Sequence, residues 1–430
     1  MAKIAILGTG IAGMGCAHFL HRHHDLTLFE ANDYVGGHAN TIGVPIPGTD
    51  RTVPIDTGFM VYNETNCPLL ARLFAALQVP VKKTTRSFSV RDDRSGLEWS
   101  DRSLNHLFAQ RKNLADLRFL KLLRSVHRFN QESAATLDDP ETDGITLGEH
   151  LRRRGYGEDL FNLHLAPLGA SLWNTPPDLL LSFPAGGFLR FCQSHGFLGF
   201  RHQQAWLAVD GGAREYRDRL IAPWRDRIRQ NCAAVRIIRH NHGAGAMVMA
   251  NDGTTQSFDK VIVATHADQA LRLLVNPTPD EARLLGEFNY HKTTATLHTD
   301  SAVLPRTPLA RAACNHQLAV GPDGRPSPAT HYWMNALQDL PGPEHYFVSF
   351  NRPEAIDPAK VIKRIDYTQP SLTPGALRAQ AGLPGLNEQA RSHTETYFVG
   401  SYFRHGLHED ALMSAVKVSE LVLEKDPWTA

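Results

Sequence analysis

Lys3-Ile-Ala-Ile-Leu-Gly8-Thr-Gly10-Ile-Ala-Gly13 opens the chain, followed by Leu26-Thr-Leu-Phe-Glu30 and then Gly36-Gly37-His38. An apolar strand runs into a glycine turn. A helix begins at Ile11 and Ala12, and a second strand ends on an acid. The first glycine permits the tight turn, the second lets the backbone approach a pyrophosphate, and the third lets the helix pack on the strand. The pyrophosphate of a dinucleotide then rests on the free N–H groups at the helix N-terminus. Glu30 stands 22 residues after Gly8, where a ribose-binding carboxylate belongs. It accepts hydrogen bonds from ribose hydroxyls and repels a 2′-phosphate, which disfavours NADP. A ligand-free glycine turn would leave the position of Glu30 unexplained.

The chain has 430 residues, too many for one core, so two or three domains are expected. With 42% hydrophobic and 21% charged residues it reads as an ordinary globular protein. A net charge of +1 supplies no field that would draw it to nucleic acid. The five cysteines are scattered and form no CxxC pair, which argues against a disulfide framework or a zinc site and fits a reducing cytoplasm. His21, His23 and His24 fall where the first helix should end and match no metal-site spacing, so no metal is expected. The strand beginning at Lys3 leaves no room for a signal peptide, and no apolar run reaches the ~18 residues of a membrane span. A cytoplasmic location is the expectation.

Residues 42–58 read as turns and a short strand, and 66–78 as an amphipathic helix. Alternation over 81–99 suggests a hairpin turning at Asp92-Asp-Arg-Ser-Gly96. From about 103 to 200 the pattern is largely helical, and 321–328 reads as a loop. Strands are expected at 233–239, 246–250, 260–265, 292–298 and 346–350. The last forty residues hold a strand (Thr396–Gly400), a turn and a closing helix from about 409.

Four pieces, in order along the whole length, resemble the flavin amine oxidase superfamily. They are the glycine fingerprint with its later doublet; Asp56-Thr-Gly58-Phe59-Met60; Asp210-Gly-Gly212 with Ala233-Ala-Val235 and Val261-Ile-Val-Ala264; and Phe398-Val-Gly400-Ser401 with Gly406-Leu-His408-Glu409-Asp410. The resemblance implies an α/β fold. A discontinuous Rossmann-like FAD-binding domain would use 1–60, 205–285 and 390–430. A mixed α+β substrate domain would use 61–204 and 286–389, with a helical insertion at about 103–200. The resemblance implies FAD as cofactor, touched by Gly8, Gly10, Ile11, Ala12, Gly13, Glu30, Ala31, Gly36, Gly37 and His38 from the first piece. Thr57, Gly58, Phe59 and Met60 would pass beside the flavin ring, Val235 would touch the adenine end through its backbone, and Ala264 would also contact the cofactor. Gly400, Ser401, His408, Glu409 and Asp410 would complete the site. Reduced flavin carries negative charge near N1 and the C2 carbonyl, and a helix N-terminus at that spot stabilises it. Many superfamily members carry an acid where this chain has Ser401.

A narrower set of phrases is similar to a bacterial group of predicted NAD/FAD-binding proteins: Asp56-Thr-Gly-Phe-Met-Val-Tyr-Asn63, Ser194-His-Gly-Phe-Leu198, Leu297-His-Thr-Asp300, Tyr332-Trp-Met-Asn335 and Gly406-Leu-His-Glu-Asp410. That group is associated with enzymes that methylate fatty acyl chains, the cyclopropane-type methyltransferases. The resemblance implies lipid metabolism: oxidation or desaturation of a fatty acyl chain, with hydride passing to flavin N5. An FAD-dependent double-bond isomerase, an oxidase of amines and a flavin-binding protein without turnover stand as alternatives.

The catalytic candidates are Lys292, at the start of a strand where amine oxidases have a lysine near flavin N5, and His195, which could move a proton. The bland readings are an exposed edge lysine and a buried histidine shaping a turn. Trp173, Phe183, Phe188, Phe191, Phe197 and Phe200 crowd one stretch with Leu179, Leu180 and Leu181, as a tunnel wall for an acyl chain or as the core of the helical region. Residues 107–129 form a basic amphipathic pattern, suited to peripheral contact with the inner face of an anionic membrane or to packing on their own domain. The partner is a hydrophobic small molecule or lipid, with oligomeric state left open. No GxSxG elbow occurs.

Overall fold

Five parallel strands build the first sheet, in the order Thr396–Phe398, Lys260–Val263, Lys3–Leu7, Asp25–Phe29, Ile228–Arg229. Its central strands are apolar at nearly every position because both faces are covered, as parallel sheets require. Ile4 and Ile6 pack toward the helices Ile11–Leu20 and His408–Leu423, through Met14, Leu412 and Ala415. Ala5 and Leu7 pack the other way, toward Val248, Ala250 and Phe258 of a three-stranded antiparallel sheet. The computed structural model describes residues 1–137, 139–173, 175–198, 205–240, 245–321, 324, 326–391 and 393–429.

A second sheet has seven strands, in the order Val361–Ser371, Asn289–His298, Phe347–Phe350, Pro326–Trp333, Cys314–Val320, Phe88–Asp92, Leu97–Ser100. All its pairings are antiparallel except Cys314–Val320 with Phe88–Asp92. One face carries Tyr367, Ala295, Leu297, Val348 and Phe350, packed with Val44, Ile55 and Met60. Further along, that face carries Val90 and Trp99, packed under helices that include Leu117–Ala135 and Ala185–Ser194. The opposite face carries the hydrogen-bonded His298, Ser349 and His331 beside Phe347, which packs with Val303 and Leu304.

Three distant segments meet at Asp56, which is 1% exposed. Its carboxylate accepts from Thr41 Oγ1 at 2.5 Å, Ala213 N at 2.9 Å and Gln338 Nε2 at 2.7 Å. Burial pushes its pKa up to about 7.

Several details differ from the sequence reading. The hairpin is 88–100: Val81–Thr84 pairs instead with Trp206–Val209. The pattern at 107–129 is not one helix. A short helix, Leu104–Leu107, and a 3-10 turn, Arg111–Leu114, precede Leu117–Ala135, because Asp116 accepts from Arg118 N and Phe119 N and so caps a fresh N-terminus. Strands Cys314–Val320, Pro326–Trp333 and Val361–Ser371 appear where none was expected, and Pro326–Trp333 begins inside the expected loop. Among the described residues, no helix is long and apolar enough to cross a membrane, and no group of three or more His, Cys, Asp or Glu could hold a metal.

Candidate active site

The glycine turn tests directly whether a dinucleotide fits. Gly8 has φ +104°, and a Cβ there would lie 2.8 Å from Ala264 O. A Cβ on Gly13 would lie 2.0 Å from Gly8 O and 3.2 Å from Ala264 Cβ, so close packing of helix on strand demands glycine. Gly10 is different: a Cβ there meets nothing within 4 Å. The protein itself has no need of glycine at that position, but a ligand lying against the helix N-terminus does. The helix Ile11–Leu20 has no side-chain cap and no acid in its first turn, and its first backbone bond is Met14 N to Gly10 O. The N–H groups of Ile11, Ala12 and Gly13 are therefore left for an anion. Gly37 backs onto Gly10, and Gly36 N donates to Thr9 O at 3.1 Å.

Glu30 is 5% exposed at the end of Asp25–Phe29. One carboxylate oxygen accepts from Thr9 N at 3.1 Å and from the Thr9 hydroxyl, and the other from Asn32 N at 2.9 Å and Asn32 Nδ2 at 2.8 Å. Thr9 and Asn32, which the sequence reading did not single out, thus hold the acid in place. Ala31 is exposed just beyond. Val235 is 40% exposed and sits where the ladder with Ala246–Ala250 shifts register between Ala234 and Arg236. A bulged residue is left out of the ladder, so its backbone is available to a ligand.

At the other end of the cradle, Thr57 Oγ1 donates to Asn40 O at 3.0 Å and lies 2.9 Å from Tyr367 Oη. Tyr367 stacks on His38 at 4.8 Å, and Gln369 Nε2 lies 3.3 Å from His38 Nε2. A Cβ on Gly58 would come within 2.3 Å of His38 O, so the loops carrying 38 and 58 run back to back. Phe59 stacks on His408 at 4.2 Å, and His408 Nε2 lies 3.1 Å from Tyr216 Oη. Burial lowers the His38 pKa to about 4 and the His408 pKa to about 3, so both rings stay neutral near pH 7. Met60 is buried in the core beside Val44 and Ile55. Tyr367, Gln369 and Tyr216 are further site residues that the sequence reading missed.

The carboxylates of the final segment cap backbone N–H groups. Glu409 accepts from Leu69 N and Leu70 N, both at 2.9 Å, and so caps the helix Pro68–Ala76. Asp410 accepts from His405 N at 3.2 Å and Leu407 N at 2.9 Å, and burial raises its pKa to about 6. What faces the cradle is His408 and the start of the helix, while these two side chains turn into the protein. Gly400 N donates to Ser414 Oγ at 2.9 Å, and Ser401 lies half-buried after it.

Lys292 is exposed and opposes Thr368 in the ladder, whereas Thr293 opposes Tyr367. Alternation puts Lys292 on the sheet face opposite Tyr367 and His38, so its strand aims it away from the cradle. His195 stacks on Phe191 at 3.9 Å, with Nδ1 3.0 Å from Phe191 O, and burial lowers its pKa to about 4. It connects to the cradle indirectly. Phe191 contacts the His405 ring at 5.4 Å, and His405 O accepts from Trp173 Nε1 at 2.9 Å. Trp173, Phe183, Phe188 and Phe191 are buried core of the helical region rather than a free wall, while Phe197 is half-exposed and Phe200 lies outside the described residues. The half-exposed apolar surface beside the cradle is Phe59, Leu407, Phe197, Trp206 and Tyr332.

The sequence matches the family model described as flavin containing amine oxidoreductase over residues 11–336. Three solved structures share the fold over nearly the whole chain. Cyclohexylamine oxidase from Brevibacterium oxydans IH-35A has TM-score 0.69 and 16% identity, covering 98% of this chain and 99% of that one. The CLA-producing fatty acid isomerase from P. acnes has TM-score 0.66 and 15% identity, covering 98% of each chain. Putrescine oxidase bound to putrescine has TM-score 0.67 and 13% identity, covering 99% of each. No curated protein matches the chain by sequence.

Proposed function

The chain belongs to the flavin-containing amine oxidoreductase family and is an FAD-dependent oxidoreductase, and from that premise we propose that it oxidises or desaturates a fatty acyl chain. The flavin, when bound, accepts a hydride from the substrate carbon. The observation that carries the acyl reading is the apolar character of the side chains beside the cradle. Phe59, Leu407, Phe197, Trp206 and Tyr332 are half-exposed there, and burial keeps His195, His405 and His408 neutral, with pKa values lowered to about 4, 4 and 3. Such a surface excludes water and holds a hydrocarbon. The N-terminal glycine turn would hold the pyrophosphate, and His38, Phe59 and His408 would orient the flavin end.

On this reading the segments 1–60, 205–285 and 390–430 form the FAD-binding domain and the remainder the substrate domain. The acyl chain is of the kind modified by the methyltransferases with which the similar bacterial group is associated. The protein works in the cytoplasm at the inner face of the membrane. That location is supported by Leu104, Leu114 and Leu117, which are 76%, 57% and 81% exposed beside Arg111, Lys112, Lys121 and Arg124. Incubation with phospholipids and free fatty acids in air, followed by mass spectrometry, tests the reaction. The expected product has lost two hydrogens. An unchanged mass with a shifted double bond would point to isomerisation, and oxidation of amines alone would overturn the acyl reading.

A further inference from the structure

Arg86 has no role in the site as described, and its surroundings are unusual for an arginine. Its guanidinium lies 4.3 Å from the ring centroid of Phe197 and 4.8 Å from that of Trp206. Cys192, Cys314, Tyr332, Asp101 and His195 also lie in its electrostatic environment, and burial lowers its pKa. Asp101 spends Oδ1 on the Phe88 N–H at 2.8 Å. Among the described residues, Arg86 has no hydrogen-bond acceptor and no carboxylate within ion-pair distance. Several other half-buried arginines find acceptors, although Arg352 Nε does not. Arg239, for example, grips Glu281 at 2.6 and 2.9 Å, and Arg91 holds Asp93 at 2.6 Å. A half-buried guanidinium flanked by rings, with no anion among the described residues, is placed to receive an anionic group from a ligand.

Two routes connect Arg86 to the flavin end. Trp206 pairs with Thr84, and the next residue, Leu207, bonds Tyr62 in both directions at 2.9 and 2.8 Å. Tyr62 contacts Phe59, which stacks on His408. On the other side, Phe197 lies against His195, and His195 stacks on Phe191 beside His405. Cys314 and Tyr332 stand on the same sheet face as Tyr367, by the register of the ladders. Arg86 therefore closes the far end of the apolar surface that begins at Phe59.

Resting on the acyl-chain reading above, we propose that Arg86 is the anchor for the substrate's carboxylate, so that the enzyme takes unesterified fatty acids. The two rings lie against the guanidinium and accept none of its N–H groups, and a guanidinium fork matches a carboxylate bidentately. A phospholipid phosphate offers related chemistry, but a single fork with apolar flanks suits the smaller planar anion. An alkylammonium would be repelled.

The test is anaerobic titration of the flavin-loaded protein, following the visible spectrum, with oleate, methyl oleate, phosphatidylglycerol vesicles and octylamine. Oleate should half-saturate at a concentration about 10- to 100-fold below methyl oleate, the range of a charge-assisted hydrogen-bond pair. Arg86→Met should erase that preference and Arg86→Lys should keep part of it. Equal binding of acid and ester, a preference retained in Arg86→Met, or vesicles binding as tightly as oleate would each overturn the anchor while leaving the acyl reading standing. Binding of octylamine alone would overturn both. If Arg86→Met fails to load flavin, the acid-to-ester ratio of the natural protein decides.

Discussion

Replacing Gly10 by alanine separates the cofactor's demands from the fold's. Gly10 has φ −65° and ψ 177°, which alanine adopts without strain, and the added Cβ meets no protein atom within 4 Å. Reduced unfolded-state entropy contributes about 0.4–1 kcal/mol of stability, and the poorer N-cap takes back about 0.5–1 kcal/mol. The apoprotein should therefore melt within about 2 °C of the original. On this account the methyl projects into the open space where the pyrophosphate rests against the helix N-terminus. Losing one or two charge-assisted hydrogen bonds to a pyrophosphate costs about 1.5–3 kcal/mol each, so FAD should bind at least 10-fold more weakly. Gly13→Ala is the contrast, because its Cβ would sit 2.0 Å from Gly8 O, a backbone atom that cannot yield. That overpacking should cost about 3 kcal/mol or more of apoprotein stability. Melting curves without FAD, together with quenching of FAD fluorescence on titration, read both quantities. A Gly10→Ala protein that binds FAD as tightly as the original would refute the seat assigned to the pyrophosphate.

His298, His316 and His331 are at most 4% exposed, and burial lowers their pKa values to about 4, 3 and 3 from 6.5. A lowered histidine gives stability that is present above 6.5 and lost as pH falls, so between pH 7 and 5.5 the three should withdraw about 4 kcal/mol, measured by urea unfolding. Asp56 works the other way. With its pKa raised to about 7, its contribution is present below pH 4 and lost as pH rises through 7, so it offsets about 2 kcal/mol of that acid loss, and Asp56→Asn should make the fall steeper. Tyr367→Phe removes the hydroxyl that lies 2.9 Å from Thr57 Oγ1 and 3.1 Å from Asn40 Nδ2. It should lower stability by about 1–2 kcal/mol and change the visible spectrum of bound flavin, whereas an unchanged spectrum would separate Tyr367 from the ring. Leu117→Glu should abolish sedimentation with anionic liposomes at low salt, and undiminished sedimentation would remove the Leu104–Leu120 surface as the contact.

The dinucleotide turn was legible because its logic is local. The glycine spacing, the apolar strand and the acid after Leu26–Phe29 lie within thirty residues; Gly8 and Gly13 each report a close approach that the structure contains, and Gly10 faces open space. The strand Val361–Ser371 was not legible, because Lys363, Arg364 and Asp366 are polar on both sides of the pleat, as an edge strand permits. Tyr367 and Gln369 were missed with it. Lys292 was read in the right element and on the wrong face, since its direction depends on the register with that unseen strand. Glu409 and Asp410 were placed in the site through the start of the final helix; their side chains cap the backbone N–H groups of Leu69, Leu70, His405 and Leu407, contacts that sequence spacing cannot supply. The pattern at 107–129 kept helical periodicity across a break that a single capping aspartate, Asp116, imposes.

The most direct test of the account is the visible spectrum of the purified protein during anaerobic addition of a fatty acid, with an alkylamine as the control. Bound flavin that bleaches with the acid and not with the amine is the predicted result. Flavin that bleaches only with the amine, or a protein that neither carries nor takes up FAD, would contradict it.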